Sequence, residues 1–197
     1  MATKKSQQIG IWIIAIVMTV GTLGSFAVMI LQNDNQATDS ATKAASTAKQ
    51  LADYTAQQKV AAQTNADNSE ALSGYSATTF DPASIAALNK EILVAGTGDE
   101  VKATDSIKAS YFGWTSDGKI FDSSKKKDTD DAPITFALSG VIKGWTEGLT
   151  GQRVGSVVKL SIPADLGYGA TGSGVIPANA PLVFIVKINS IEAATAQ

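Results

Sequence analysis

Two polar side chains stand in the part of this sequence where its aromatic residues are concentrated. Asp122 directly follows Phe121, and Tyr168 sits inside the stretch Leu166-Gly167-Tyr168-Gly169. Around them Tyr111, Phe112, Trp114, Phe121, Phe136, Trp145, Tyr168 and Phe184 concentrate aromatic rings in one short part of the chain. A core alone accounts for rings, but it needs no Asp between them and no Tyr in a Gly-rich loop. Polar handles beside apolar surface are the composition of a ligand cleft. The chemistry open to such a cleft is to hold an apolar group against the rings with polar partners beside it.

The residues that are missing narrow the chemistry further. The 197-residue chain has no His and no Cys, which excludes a histidine base, histidine zinc ligands, a Ser-His-Asp triad, thiolate catalysis and a disulfide scaffold. The formal net charge of -2 is no footprint for a nucleic acid, and the basic run Lys125-Lys126-Lys127 is cancelled by Asp128, Asp130 and Asp131. Gly96-Thr97-Gly98 reads as a turn, because a phosphate cradle needs more glycines leading into a helix.

Several short elements must hold these side chains. Runs at 91–94, 106–114, 134–138, 156–162 and 182–188 read as strands, separated by turn signals of which Asp117-Gly118 is a hairpin type. One short helix fits residues 141–149. Strands with one helix predict an α+β domain in which a curved antiparallel sheet packs on that helix.

In order along the chain stand Tyr111, Asp117-Gly118-Lys119-Ile120-Phe121-Asp122-Ser123-Ser124, Phe136, Gly140 through Leu149, Gly155, Ile162-Pro163, Tyr168-Gly169-Ala170, Ile176-Pro177 and Leu182-Val183-Phe184. This series resembles the FK506-binding (macrolide-binding) class of peptidyl-prolyl cis-trans isomerases, over residues 88–192 and in the style of its membrane-anchored bacterial members. The resemblance implies a five- or six-stranded antiparallel half-barrel around one short helix, with a proline site between helix and sheet. By position, it implies a proline pocket of Tyr111, Phe121, Phe136, Val141, Ile142, Trp145 and Phe184. Trp145 is then the floor, the Ile142 N–H is a donor to a substrate carbonyl, and Ile176 closes the rim. Asp122 and Tyr168 are the implied polar pair, so Asp122, Tyr168 and Ile142 are the catalytic candidates. A structural role for Asp122, tying Tyr111 or a loop, is the alternative at that residue.

The implied activity is isomerisation of X-Pro bonds in extracytoplasmic polypeptides, with no cofactor and no metal; macrolides are the implied inhibitors. The alternative is a proline-peptide-binding or chaperone module of the same fold with little turnover. Two departures bear on it. The stretch between Asp122 and Phe136 is longer than in small members and lacks the Arg that often steadies the Asp, leaving Lys125 to Lys127 as the local cations. The rim loop Gly172-Ser173-Gly174 is shorter than the common form.

Upstream, residues 9–31 carry no charge and would span about 34 Å as a helix, enough for a hydrocarbon layer of about 30 Å. Lys4 and Lys5 precede this run and Asn33-Asp34-Asn35 follow it, so a single-pass helix with a cytoplasmic tail at 1–8 is expected, with the rest outside. A cleaved secretory signal is the alternative. Residues 32–79 read as an Ala-, Gln- and Thr-rich linker or helical stalk, with too few large apolar residues for a core. The isomerase domain is placed at 80–192 and a tail at 193–197. No repeat or long apolar stripe demands a dimer, and a monomer is expected.

Overall fold

The computed structural model describes residues 40–192. The transmembrane segment expected at 9–31 lies outside the described residues, as do the tails at 1–8 and 193–197. Among the described residues no helix is long and apolar enough to cross a membrane. The chain divides into two compact units, Met1–Gln63 and Thr64–Gln197.

Helix α1, Ser40–Asn68, accounts for every described residue of the first unit. Its Ala, Gln and Lys content favours the helix. Leu51, Tyr54 and Val60 are exposed on it, and Lys49 pairs with Asp53 one turn later at 3.7 Å. An exposed pair of this kind adds only about 0.3–0.5 kcal/mol.

The second unit is built on a six-stranded antiparallel sheet. Its strands are β1 (Asn89–Val94), β2 (Ser106–Trp114), β3 (Ile120–Ser123), β4 (Ile134–Ala137), β5 (Val157–Ile162) and β6 (Leu182–Glu192). The order is β1-β5-β6-β2-β3, with β4 also paired to β2. One edge of β2 carries β4 along Ser106 to Ala109 and then β3 along Phe112 to Trp114, while its other edge follows β6 throughout. Register breaks at Lys108/Ala109 and Gly113/Trp114 add local twist and help the sheet curl. Strand β3 was not among the expected runs.

Helix α2, Lys143–Leu149, lies on the inner face of the sheet. It is shorter than the expected 141–149: Val141 is extended and Ile142 is the N-cap. Gly144 and Gly148, one turn apart, let it approach β5 closely. A Cβ at Gly144 would meet Ile162 Cγ2 at 2.4 Å, and one at Gly148 would meet Leu160 Cδ2 at 2.6 Å.

The outer face is covered too, and this corrects the expected domain boundary. Leu72 is buried with Phe112, Trp114, Val157, Val183 and Ile185, and Ala71, Tyr75, Ala77, Phe80 and Ile85 pack against that cluster. Trp114 Nε1 donates to the Thr78 carbonyl at 2.9 Å, and Phe80 N donates to the Ser116 carbonyl at 3.1 Å. The segment 64–79, read as the end of a linker, therefore belongs to the folded unit. The physical reason is that β2 exposes apolar side chains on both faces, and the outer one needs a cover.

Candidate active site

Strand alternation sorts the aromatic residues into two groups. Phe112 and Trp114 stack at 5.1 Å in the outer cluster, away from the candidate site. Tyr111 faces α2 and starts a continuous edge-to-face series. Its ring centroid lies 5.4 Å from Phe136 and 5.3 Å from Trp145; Phe136 lies 5.2 Å from Trp145. Trp145 in turn lies 5.5 Å from Phe184, and Phe184 5.4 Å from Phe121. Interplanar angles of 70–85° are the arrangement that ring quadrupoles prefer. Five of the seven expected pocket residues thus form one apolar surface. The other two, Val141 and Ile142, are half-buried and lead directly into α2.

Gly113 makes part of this surface possible. It lies opposite Phe184 in the β2/β6 pair, and a Cβ there would sit 2.4 Å from Phe184 Cε1 and 2.6 Å from Phe121 Cζ. Sequence reasoning passed over it, although a glycine in mid-strand is a signal of close approach.

Trp145 Nε1 is buried with no hydrogen-bond partner among the described residues. Ile142 accepts the first hydrogen bonds of α2 at its carbonyl, from Trp145 N at 2.9 Å and Thr146 N at 3.3 Å. As N-cap, its own N–H lies before the helical ladder.

Asp122 is the most heavily bonded polar group of the site. Its Oδ2 accepts a hydrogen bond from the Tyr111 hydroxyl. Its Oδ1 accepts from Asn65 Nδ2 at 2.8 Å, from Ser123 N at 2.9 Å and from Lys126 Nζ at 3.3 Å. Both the structural reading, a carboxylate tying Tyr111, and a position beside the aromatic surface are present together. Asn65 gave no signal in the sequence, being a polar residue on a helix. Of the local cations Lys125 to Lys127, Lys126 is the one that pairs with Asp122.

Tyr168 caps the 3-10 turn Gly169–Thr171 and is half-buried. Burial, and then the charge of Asp122, raise its phenol above the ordinary tyrosine range. Tyr111 is raised well above that range by burial first, then by the charge and hydrogen bond of Asp122, and by Tyr168. Both phenols are therefore protonated donors at neutral pH, and both feel the Asp122 carboxylate. Ile176 is buried where the rim loop doubles back: Ser173 and Ile176 exchange backbone hydrogen bonds at 3.0 and 2.8 Å.

The loop after β3 is docked, not hanging free. Glu70 N donates to the Lys125 carbonyl at 3.1 Å, Lys127 N donates to the Asn68 carbonyl at 2.8 Å, and Lys125 pairs with Glu70 at 3.1 Å. Ser124 Oγ donates to Asp131 Oδ1 at 2.6 Å, which closes the loop on itself.

Comparison with known proteins agrees with this geometry. Residues 98–189 match the family model described as FKBP-type peptidyl-prolyl cis-trans isomerase. The chain is 47% identical over 105 residues to the FKBP-type peptidyl-prolyl cis-trans isomerase FkpA of Aeromonas hydrophila, covering 53% of this chain and 38% of that protein. It is 42% identical over 99 residues to the FK506-binding protein of Neisseria meningitidis serogroup A, covering 50% of this chain and 90% of that protein. The crystal structure of FkpA from Escherichia coli superposes with a TM-score of 0.51 at 32% identity, covering 88% of this chain and 71% of that one. The match thus spans well under half of the Aeromonas protein but nearly all of the Neisseria one. This chain belongs to the FKBP-type peptidyl-prolyl cis-trans isomerase family.

Proposed function

We propose that the chain catalyses cis-trans isomerisation of X-Pro bonds in polypeptides outside the cytoplasm, held at the membrane by the apolar segment 9–31. The observation that carries the catalytic reading is the series of edge-to-face rings around Trp145, joined to Asp122 through the Tyr111 hydroxyl. The membrane placement rests on the uncharged run 9–31 with Lys4 and Lys5 before it.

Rotation about an X-Pro amide faces a barrier of about 20 kcal/mol, because resonance makes the C–N bond partly double. The planar amide is more charge-separated than the twisted one. Moving it from water to an aromatic surface therefore costs the ground state more than the transition state. In this reading Trp145, Tyr111, Phe136, Phe121 and Phe184 seat the prolyl ring, with Val141, Ile142 and Ile176 at the margin. The Ile142 N–H and the Tyr168 hydroxyl hold flanking carbonyls while the bond turns. Asp122 sets the local field through its hydrogen bonds and transfers no proton. The aromatic surface would also accept macrolides, which share the apolar ring and carbonyls of the peptide.

The test is the exchange rate of Ala-Xaa-Pro-Phe peptides with the full chain in detergent micelles, alongside Asp122→Ala (D122A) and Trp145→Leu (W145L). Fast exchange that falls in both variants supports an isomerase using this cleft. Peptide binding without faster exchange would leave a proline-recognition module in place of an enzyme.

A further inference from the structure

Asp122, Asn65 and Lys126 form a closed triangle. The Asn65 amide donates to Asp122 Oδ1 at 2.8 Å, and its carbonyl accepts from Lys126 Nζ at 2.7 Å. Lys126 Nζ reaches the same Asp122 oxygen at 3.3 Å and spends its remaining donor on Ser69 Oγ at 3.0 Å. Ser69 Oγ in turn donates to the Asn65 backbone carbonyl at 2.8 Å. The charges of these neighbours fix the amide orientation, with NH2 toward the carboxylate and oxygen toward the ammonium. The side chains of Asp122 and Lys126 are only 23% and 28% exposed, so their attraction is less screened than at an open surface. Asn65 and Ser69 lie in and just after the last turn of α1, within the second unit and before residue 98, where the family match begins.

From this geometry we infer that Asn65 and Lys126 are positioning residues for Asp122, so that the end of α1 is part of the catalytic apparatus. The inference rests on the reading of Asp122 as a site residue. One Asp122 oxygen is held by Tyr111 from β2 and the other by Asn65, Lys126 and the Ser123 N–H, which together fix the carboxylate from opposite sides. Without Asn65 and Lys126, Oδ1 keeps only the Ser123 N–H and water, and the carboxylate gains freedom about its side-chain torsions. A preorganised charge is effective because it need not reorient as the substrate bond turns.

The test measures kcat and KM separately for the full chain carrying Asn65→Ala (N65A), Lys126→Met (K126M) or Lys126→Arg (K126R), each in the native and in the D122A background. In the native background N65A and K126M are each expected to lower kcat about three- to tenfold with KM little changed, while K126R retains most of the activity. In the D122A background the same substitutions are expected to change kcat no further, because they act through the carboxylate that is gone. A loss that persists in the D122A background, or kcat unchanged in N65A and K126M, overturns the positioning role. If D122A itself leaves kcat unchanged, the reading of Asp122 fails first, and this result is separable from the others. Melting midpoints of all variants show whether enough folded protein is present; K126M keeps the length of the side chain at a partly exposed site, so its fold is expected to survive.

Discussion

Replacing Leu72 by alanine should weaken the folded unit far more than the same change at Leu51, although both look like isolated leucines in a polar segment. Leu72 is 7% exposed, among Phe112, Trp114, Val157, Val183 and Ile185, whereas Leu51 is 54% exposed. The change deletes an isopropyl group, and at about 0.8 kcal/mol per buried methylene-sized group the transfer loss is about 2.4 kcal/mol. A residual cavity would add to this, but the covering segment contains turns and exposed residues that can relax inward, so about 2–3 kcal/mol is expected. For a unit of this size that lowers the melting midpoint by about 6–15 °C. Leu51→Ala should stay within about 0.5 kcal/mol of the parent. The assay is urea or thermal unfolding of the full chain followed by the near-ultraviolet signal of Trp114 and its neighbours. Equal effects of L72A and L51A would refute the claim that residues 64–85 cover the outer face. The same argument predicts that a fragment beginning at Phe80 melts well below one beginning upstream of Thr64.

Gly113→Ala sets a Cβ 2.4 Å from Phe184 and 2.6 Å from Phe121, so overpacking of about 1–3 kcal/mol is expected, with a loss of peptide exchange larger than the fraction unfolded explains. Asp117 is held at about 2 by its hydrogen bonds to Lys119 and Thr115. A lowered folded value means that its contribution is present above the ordinary carboxylate value of 3.8 and is lost as pH falls toward about 2. The pair is open to solvent, so that contribution is a fraction of a kcal/mol, about 0.5 or less. Urea midpoints of Asp117→Asn should fall less than those of the parent between those pH values. The raised Tyr111 and Tyr168 phenols work in the opposite sense: their contribution is complete below the unfolded value near 10.0 and is lost as pH rises above it. Tyr168→Phe should make the alkaline decline of the urea midpoint shallower, and an unchanged decline would speak against burial of that phenol.

Much of this site could be read in the residues themselves. Phe121-Asp122, Trp145 within its short helix and Tyr168 in a Gly-rich loop are local patterns, and the structure brings Tyr111, Phe121, Phe136, Trp145 and Phe184 into mutual contact. The five main strand runs were legible from alternation and turns, since strand periodicity is written along the chain. Phe112 and Trp114 were grouped with the cleft because composition counts rings without assigning them a face; the strand then sends them to the other side.

Residue types along the chain thus determined which chemistry is open to this protein: no histidine, no thiol, and an apolar aromatic surface with one carboxylate and two phenols beside it. Only the tertiary structure decided what completes it. Leu72 and Asn65 lie in a polar, helix-favouring stretch whose few apolar residues are too sparse to announce a core. Their partners Trp114 and Asp122 are more than forty positions away. Long-range contacts of this kind leave no local period, because burial of Leu72 and pairing of Asn65 come from the surface that β2 and β3 present after folding.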